Sequence, residues 1–374
     1  MVFSSWAAHI PHVKAELGLS DAALGTALFG APAGSLVAAV LCHWALPRWG
    51  SRRMVPITVA GYASVGVTVG LVTSGPQLFL ALALWGMFQS ALDVAMNTQA
   101  ATIERAVRAP VMARFHGMWS LGALLGAVIG AASVSLGVGL AAQLAVLGGV
   151  VLVVVVALTI HLLPDVRPAA GPSHADRGKR AWMTPTVAVL AAVSFSSFLC
   201  EGAATDWSAN YLHEVVGAGA GVSALSYAAY TLAMVLTRFG ALRLHARVSS
   251  RRSLPALALL AAVGMSVMLV AANPVVSVIG FATLGAGVAL LVPTAFSAAY
   301  SASSAGSAIA IVAATGWVGY LLGPPLIGHL AGWAGLSAAL IVIPLTISIA
   351  GIVIRCSGAF DAADEFHRDA AVPA

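Results

Sequence analysis

The second half of the chain holds a very long run without charge. Residues 253–354 contain no Asp, Glu, Lys or Arg. The hydrocarbon core of a membrane is about 30 Å thick and takes roughly 20 helical residues to cross, so uncharged apolar runs of that length predict transmembrane helices. Turn-forming residues at 273–274, 301–306 and 332–335 divide the run into four such helices.

The composition extends this prediction to the whole chain. Hydrophobic residues make up 60% of the 374 residues, charged residues only 8%, and the mean hydropathy is +0.96. In an ordinary soluble domain about 25% of the residues are charged. Seven more apolar helices are predicted in residues 22–47, 54–92, 115–164, 182–212 and 215–242. The sequence therefore predicts an all-α, multi-pass membrane protein with eleven complete spans.

Basic residues predict the orientation, because they collect in cytoplasmic loops. When the loops are assigned alternately to the two sides, only Lys14 of the 18 Lys and Arg residues falls on the outer side. We therefore expect a protein of the bacterial cytoplasmic (inner) membrane with its C-terminus in the cytoplasm. The net charge of +5 needs no nucleic-acid partner, since anionic lipid headgroups attract the same basic residues.

Weak internal repetition indicates two parallel halves, an arrangement that transporters use. The segment PRWGSRR (47–53) matches ARVSSRR (246–252), and Trp6 and Trp119 match Trp207 and Trp317 at nearly the same offset. By this alignment the first helix should begin before Met1, so we expect a truncated first helix in a design of two six-helix bundles. The alternative is that residues 1–10 form a short interfacial segment of an eleven-span protein.

The repeat also predicts the domain boundaries. Residues 1–163 are expected to form the N-terminal bundle with a partial first helix, and residues 186–355 the C-terminal bundle. The basic segment at 164–185, rich in Pro and Gly, reads as a cytoplasmic linker, and residues 356–374 as a cytoplasmic tail.

No motif in the chain predicts an enzyme. There is no G-x-S-x-G elbow, no phosphate loop and no His/Cys/Asp cluster at ligand spacing. Cys42, Cys200 and Cys356 are odd in number and too scattered for a disulfide framework or a metal site. We therefore expect no enzymatic activity, no metal and no cofactor, and a monomer whose transport is driven by a gradient or is passive.

The stretch HWALPRWGSRR (43–53) resembles the loop signature of the major facilitator superfamily of secondary transporters. Pro47 stands where the superfamily has Asp. The resemblance covers essentially the whole chain and implies two six-helix bundles that rock around a midplane site. It also implies a cytoplasmic gate, whose residues would be Arg48, Gly50, Arg52, Arg53 and, in the second half, Arg247.

Five further stretches carry a closer resemblance. Together they are similar to a bacterial branch of the superfamily related to fucose-type sugar permeases and to a protein thought to transport rhizopine, an inositol amine. The stretches are SSWAAHIPHVKAELGLSDAALG (4–25), ALDVAMNTQAATIE (91–104), FHGMWSLGALLGAVIGA (115–131), EGAATDWSANYL (201–212) and GWVGYLLGPPLIG (316–328). The resemblance implies a small polar solute but does not name one.

Asp93 lies within the fourth helix of the full count, which is predicted from about Gln77 to Gln99, and there a charge costs several kcal/mol and is a functional candidate by default. Gln89, Asp93 and Asn97 follow an i, i+4, i+8 pattern and so share one helix face, which could hydrogen-bond a hydroxyl- or amine-bearing solute. The alternative is a structural cluster that ties two helices together.

Glu201 and Asp206 lie in the seventh helix of the full count. No basic residue is predicted at the depth of Glu201, and a carboxyl group that gains and loses a proton as water access changes is what a proton-coupled carrier needs. Its alternative is a structural hydrogen bond. Asp206 is a second proton candidate, although a solvated helix end is favoured for it. His116 in the fifth helix could relay protons, and a satisfied interfacial histidine is its alternative.

Aromatic and small residues complete the candidates. Trp85, Trp317, Tyr227 and Tyr320 could stack on a sugar-like ring or a cation, and for any single one of them core packing is the favoured alternative. Glycines at every fourth position, Gly122, Gly126 and Gly130, should let helices approach closely. The same helix lacks the proline of the superfamily's exporter signature, which weighs against a drug antiporter.

The sequence thus predicts a secondary active transporter of a small, sugar- or inositol-like solute, working by alternating access and coupled to protons. Asp93 is the expected solute ligand and Glu201 the expected proton carrier, on opposite sides of the interface between the bundles. One alternative is a proton-antiport exporter of a more apolar metabolite or drug. Another is a membrane sensor or assembly subunit that transports nothing.

Overall fold

The computed structural model describes residues 1–107, 112–164, 184–245, 247–302 and 307–361. Throughout these ranges the regular structure is helical and no strand occurs. The chain divides into two compact units, Met1–Asp176 and Arg177–Ala374. The division falls inside the segment predicted as the linker. Most of that segment and of the tail lies outside the described residues, so both boundaries stay predictions.

Unit 1 begins with short helical pieces and continues with long helices. Its helices are α1 (Val2–Trp6), α2 (Ile10–Glu16), α3 (Asp21–Leu28), α4 (Gly30–Trp49), α5 (Ser51–Thr68), α6 (Gly75–Val107), α7 (Met112–Ser135) and α8 (Leu140–Leu158). A 3-10 turn, Ala7–His9, joins α1 to α2, and a second, Thr159–His161, follows α8. The residues for which a first-helix fragment is predicted form the short helical series from α1 to α2, and its origin as a truncated helix stays a prediction.

Unit 2 is built in the same way from long helices. Its helices are α9 (Pro185–Asn210), α10 (Ala220–His245), α11 (Ser250–Ala271), α12 (Pro274–Val288), α13 (Leu291–Ala302), α14 (Ser307–Ala334), α15 (Leu336–Ala339) and α16 (Val342–Cys356). A π-helical turn, Tyr211–Val215, extends α9. Capping side chains fix two starts: Thr184 accepts a hydrogen bond from the N–H of Val187, and Asn273 accepts from Val275 and Val276.

Within the described residues, ten helical segments are long and apolar enough to cross a membrane. Some consist of two helices in succession, such as Asp21–Trp49 (α3 and α4). The eleventh predicted span corresponds to α5. Its 18 residues include Arg52 and Arg53 in the first turn, and these two arginines lower its mean hydropathy.

The predicted small-residue contact is confirmed in unit 1, where α7 lies against α1. A Cβ atom at Gly126 would lie 2.0 Å from the carbonyl oxygen of Met1, and one at Gly130 would lie 2.4 Å from that of Ser5. Real Cβ atoms essentially never come so close to a backbone atom. Glycine at these positions therefore sets the distance between the two helices.

Gly50 ends α4 and starts α5. Its φ of 73° and ψ of 157° fall in a region that is essentially restricted to glycine. Its N–H donates to the Leu46 carbonyl at 2.9 Å, and its carbonyl accepts from the N–H of Met54 at 3.1 Å. The backbone conformation at this position therefore requires the glycine that matches the loop signature.

In unit 2, α9 packs along α14, while α11 packs against α12 and α16. Pro324 and Pro325 lie inside α14 but do not break it. They remove two backbone donors, so the carbonyl groups of Tyr320 and Leu321 lack their usual helical partners. The chain of contacts α10–α9–α14 brings the polar and aromatic side chains described next into one region.

Candidate functional site

Glu201 lies in the second half of α9 and is half-buried. One turn further on, the hydroxyl of Thr205 donates to the Glu201 carbonyl at 2.8 Å. Residues four apart share a face of an α-helix, so the Glu201 and Thr205 side chains lie on the same side of α9. Both groups face the neighbouring helices of unit 2, because each interacts with side chains of α10 or α14.

Arg238 is the functional candidate that the sequence prediction missed. The charge pattern groups it with the basic residues of the cytoplasmic side, yet it lies inside α10, half-buried, within a segment able to span a membrane. Its Nε donates to the Ala289 carbonyl at 3.2 Å, and its guanidinium interacts electrostatically with Glu201. The expectation that no basic residue lies at the depth of Glu201 is therefore wrong.

Two buried tyrosines of α10 adjoin this pair. The rings of Tyr227 and Tyr230 are stacked, with centroids 6.0 Å apart and an interplanar angle of 13°. Tyr230 interacts electrostatically with both Glu201 and Arg238. Its hydroxyl oxygen is buried and makes no hydrogen bond to any described group. That hydroxyl is a polar group available to a bound molecule or to a rearranged Arg238.

α14 contributes the third side of the arrangement. Tyr320 forms a side-chain hydrogen bond with Thr205 and interacts electrostatically with Glu201, Asp206 and Tyr227. Trp317, one turn earlier, meets the Tyr320 ring edge-on at 5.8 Å between centroids. The carbonyl oxygen of Tyr320, freed by Pro324, lies beside Gly202. This part of α14 therefore presents aromatic rings and a carbonyl oxygen that lacks its usual helical donor.

Trp317 is 51% exposed, although it lies within an apolar span. Its other neighbour is Phe198 of α9, at 5.5 Å between centroids and an angle of 39°. Three of the four aromatic residues predicted from the sequence, Trp317, Tyr320 and Tyr227, are thus brought together. We call Glu201, Thr205, Tyr227, Tyr230, Arg238, Trp317 and Tyr320 the Glu201 cluster.

Asp206 differs from the favoured expectation. A solvated helix end was expected, but the residue is only 7% exposed and lies in the buried core of unit 2. Asn210, one turn on, is fully buried, and neither its amide oxygen nor its amide nitrogen finds a partner in the described part of the chain. The C-terminal half of α9 therefore carries buried polar groups rather than a hydrated end.

In unit 1, Gln89, Asp93 and Asn97 lie on the continuous helix α6 and are all half-buried. The side-chain amide of Asn97 donates at 3.0 Å both to Oδ1 and to the carbonyl oxygen of Asp93. Asp93 and Asn97 therefore share a face, as the spacing predicts. Part of their polarity is used within the helix, and the binding role of the three residues stays a prediction.

Trp85, the fourth predicted aromatic contact, has a packing role. It is fully buried in unit 1, its ring stacks on Tyr62 at 5.6 Å, and its Nε1 donates to the Tyr62 carbonyl at 3.0 Å. Phe3 covers the same ring at 5.0 Å between centroids. This placement favours the core-packing alternative for Trp85.

Two buried polar networks of unit 1 also escaped the sequence prediction. Gln99 of α6 donates to Ser51 Oγ and to the Leu163 carbonyl, each at 2.7 Å, and so ties the start of α5 to the end of the α8 segment. His9 lies 2.8 Å from Gln143 Oε1, and Gln143 in turn donates to Ser5 Oγ at 2.9 Å. Both networks join helices through hydrogen bonds between buried polar groups, and such bonds stabilise the packing of helices in a membrane bundle.

The predicted gate arginines are exposed and lie at helix ends or, for Arg247, in the turn between α10 and α11. Arg48 donates to the Trp44 carbonyl at 2.9 Å and lies over its ring, 5.4 Å from the centroid. Arg52, Arg53 and Arg247 are exposed. A gating role stays a prediction for all of them. His116 belongs to α7, and its side chain lies outside what the structure describes.

A helical period could have found Arg238. Tyr227, Thr231, Met234 and Arg238 recur at spacings of four and three residues and so follow one face of α10. The predicted span at 215–242 contains Arg238, whereas the charge pattern assigns the residue to the cytoplasmic side with the arginines that follow it. The helical period therefore indicates its position better than its nearness to those arginines does.

Comparison with known proteins places this arrangement in a family. The family model for the Major Facilitator Superfamily matches residues 1–305. Membrane protein MosC of Rhizobium meliloti is 32% identical over 362 residues, which are 96% of this chain and 86% of MosC. The chain belongs to the major facilitator superfamily.

Solved structures of other transporters share the fold of this superfamily member. A D-xylose-proton symporter superposes with a TM-score of 0.75 at 13% identity, covering 94% of each chain. The fucose:proton symporter FucP of E. coli superposes with a TM-score of 0.58 at 16% identity, covering 94% of this chain and 96% of FucP. These likenesses confirm the predicted all-α facilitator fold. The protein is a multi-pass membrane transporter and not an enzyme.

Proposed function

We propose that this transporter is a secondary active carrier for a small polar organic solute, sugar- or inositol-like, and that it couples solute movement to protons. The proposal rests on one observation. The Glu201 cluster combines a half-buried carboxyl group, a guanidinium group and a set of aromatic rings within one unit. Such a combination of an ionisable group with apolar faces is typical of small-molecule sites.

The aromatic rings argue for a solute with both a flat apolar face and hydroxyl groups. Trp317 offers an exposed ring, which can stack on the C–H face of a sugar or cyclitol. The Tyr320 carbonyl, which lacks its usual helical donor, and the Tyr230 hydroxyl, which has no hydrogen bond within the described residues, can bond to hydroxyl groups at the edge of such a ring. We assign Gln89, Asp93 and Asn97 of unit 1 as further solute ligands. FucP and the D-xylose symporter, which share only the fold with this chain, are both named for sugars, and sugars belong to the proposed class of solute.

We assign the proton to Glu201. As a carboxylate it interacts with Arg238, and as a neutral acid it loses that attraction. Proton uptake from one side of the membrane would thus release Arg238, and proton loss to the other side would restore the pair. Because the two forms hold α9 and α10 together differently, protonation can bias which side of the membrane the solute site faces. Asp206 and His116 are the reserve candidates for the proton.

Flux measurements on the purified protein in proteoliposomes test the proposal. Labelled sugars, inositols, amino sugars, nucleosides, apolar dyes and drugs are offered with and without an imposed pH gradient. If one proton moves with each solute, a gradient of one pH unit can drive about tenfold accumulation, because a factor of ten corresponds to about 1.4 kcal/mol. We expect accumulation of at least one polar solute under the gradient and only equilibration without it.

The same experiment separates the alternatives. Transport that is insensitive to the pH gradient would remove the proton coupling and leave the carrier. Proton-driven extrusion of apolar dyes or drugs, with no movement of polar solutes, would favour the exporter. The absence of flux for the whole panel would favour a membrane sensor.

A further inference from the structure

A basic pocket lies in unit 2, away from the Glu201 cluster. It has a volume of about 360 Å³ and is lined by Ser249, Arg251, Arg252 and Arg355. The first three residues lie at the start of α11, and Arg355 lies at the end of α16. We call it the arginine pocket. None of its residues has a part in the proposed solute or proton chemistry.

The position of the pocket relative to the membrane follows from helix length. α11 has 22 residues and is therefore about 33 Å long, which is about the thickness of the hydrocarbon core. Arg251 and Arg252 occupy its first turn, so their guanidinium groups lie at the level of the lipid headgroups. The last turn of α16 is at the same level, since Arg251 Nε donates to the Arg355 carbonyl at 3.2 Å.

The charges of the pocket are not neutralised within the described part of the chain. Neither of the ion pairs found there, His12–Glu16 and Lys14–Asp21, involves a pocket arginine. The bond to the Arg355 carbonyl uses only Nε of Arg251 and leaves its two Nη groups for another acceptor. Three guanidinium groups around one cavity form a strong site for a phosphate, because each can donate two parallel hydrogen bonds.

We propose that the arginine pocket binds the phosphate of an anionic phospholipid headgroup. A lipid is favoured over a free phosphate ion because exposed apolar side chains continue from the pocket along both helices. Ile352 and Ile349 lie one and two turns before Arg355 on α16, and Leu259 follows Arg252 on α11. These side chains can contact the acyl chains of a lipid whose headgroup occupies the pocket.

Lipid binding to the purified full-length protein tests this proposal. Native mass spectrometry and thermal unfolding in detergent are recorded with phosphatidylglycerol, with phosphatidylcholine and with inorganic phosphate. We expect binding and a raised Tm with phosphatidylglycerol alone. In the variant R251Q/R252Q the affinity should fall about fivefold or more for each lost charge. The variant R251K/R252K should fall in between, because lysine keeps the charge but not the paired hydrogen bonds.

The matched control is R243Q/R247Q, which removes two exposed arginines of the same unit outside the pocket. It should retain phosphatidylglycerol nearly as the wild type does. Equal loss in the two double variants would show that general positive charge is responsible and would overturn the site. Equal stabilisation by inorganic phosphate, lost in R251Q/R252Q, would identify a soluble anion as the ligand and overturn the lipid assignment.

Discussion

Glu201 and Arg238 show how a nearby charge changes what a residue can do. From the sequence Glu201 is a lone acid in an apolar helix, whereas in the structure it has a guanidinium group within electrostatic range. A lone acid can only gain or lose a proton. An acid with a cationic partner can also release or hold that partner, which links protonation to helix packing.

We predict that Glu201→Gln uncouples transport from protons. Glutamine resembles the neutral acid but cannot ionise, so solute exchange should persist while gradient-driven accumulation is lost. Counterflow in proteoliposomes should stay within about threefold of the wild type, a change of less than 1 kcal/mol in activation free energy. Accumulation under a pH gradient should stop at equilibration.

Glu214→Gln serves as the control for that measurement, because Glu214 is an exposed acid in the π-helical turn after α9. It should keep accumulation as in the wild type. If Glu201→Gln still accumulates solute with the normal pH dependence, the proton belongs elsewhere, and the same assay on Asp206→Asn and His116→Gln would follow.

We predict that the Glu201–Arg238 interaction is measurable as a coupling energy. Arg238→Met alone should lower stability by about 1 to 3 kcal/mol, because it leaves an acid in an apolar helix without its cation. The double variant Arg238→Met/Glu201→Gln should recover part of that loss. Thermal unfolding of the four proteins in detergent gives the coupling, and strictly additive losses would contradict the pairing.

The helix pair α9–α14 shows that the role of a whole helix also depends on the helix it packs against. It carries most of the Glu201 cluster, and its spacing is set by glycine. A Cβ atom at Gly319 would lie 2.4 Å from the carbonyl oxygen of Phe195. Since that oxygen belongs to the backbone, the neighbouring helix itself would have to move.

We predict that Gly319→Ala destabilises the protein and impairs transport. Overpacking of this kind costs about 1 to 3 kcal/mol, and it would shift Trp317 and Tyr320 relative to α9. A lowered Tm in detergent and a raised half-saturation concentration for the solute are expected. Gly149→Ala in α8 is the control, because nothing lies within 4 Å of a Cβ atom there. Equal Tm values for the two variants would contradict the close contact.

Most elements follow from the sequence because apolar length alone predicts a spanning helix. The boundaries follow less well, as α6 and α10 show. Both helices continue past their predicted ends, α6 through Glu104 and Arg105 and α10 through Arg243. A helix continues as long as its backbone bonds and its packing allow, whatever the hydropathy of its last turns.

At the scale of the whole molecule, the predicted orientation can be tested with the native cysteines. Cys42 and Cys200 are buried, and Cys356 at the end of α16 is exposed. If the C-terminus is cytoplasmic, a membrane-impermeant maleimide should label inside-out vesicles and not right-side-out vesicles. Cys356→Ser should abolish the labelling. Labelling of right-side-out vesicles alone would reverse the orientation that the basic residues predict.

The sequence by itself determined the class of the molecule and most of its parts. The composition indicated that the chain lies in a lipid bilayer, and the length of the apolar runs predicted the spanning helices. The cost of a charge in hydrocarbon marked Asp93, Glu201 and Asp206 as functional candidates. These are properties of single residues and local stretches, which need no knowledge of neighbours.

Only the tertiary structure decided which of these groups meet. It brought Arg238 within electrostatic range of Glu201, put Trp317 and Tyr320 in the same cluster and placed Trp85 in a packed core. It also gathered Arg251 and Arg355, far apart in the chain, around one pocket. The physical reason is that a helical period tells which residues share a face, but the neighbour of that face depends on how every helix is rotated and packed.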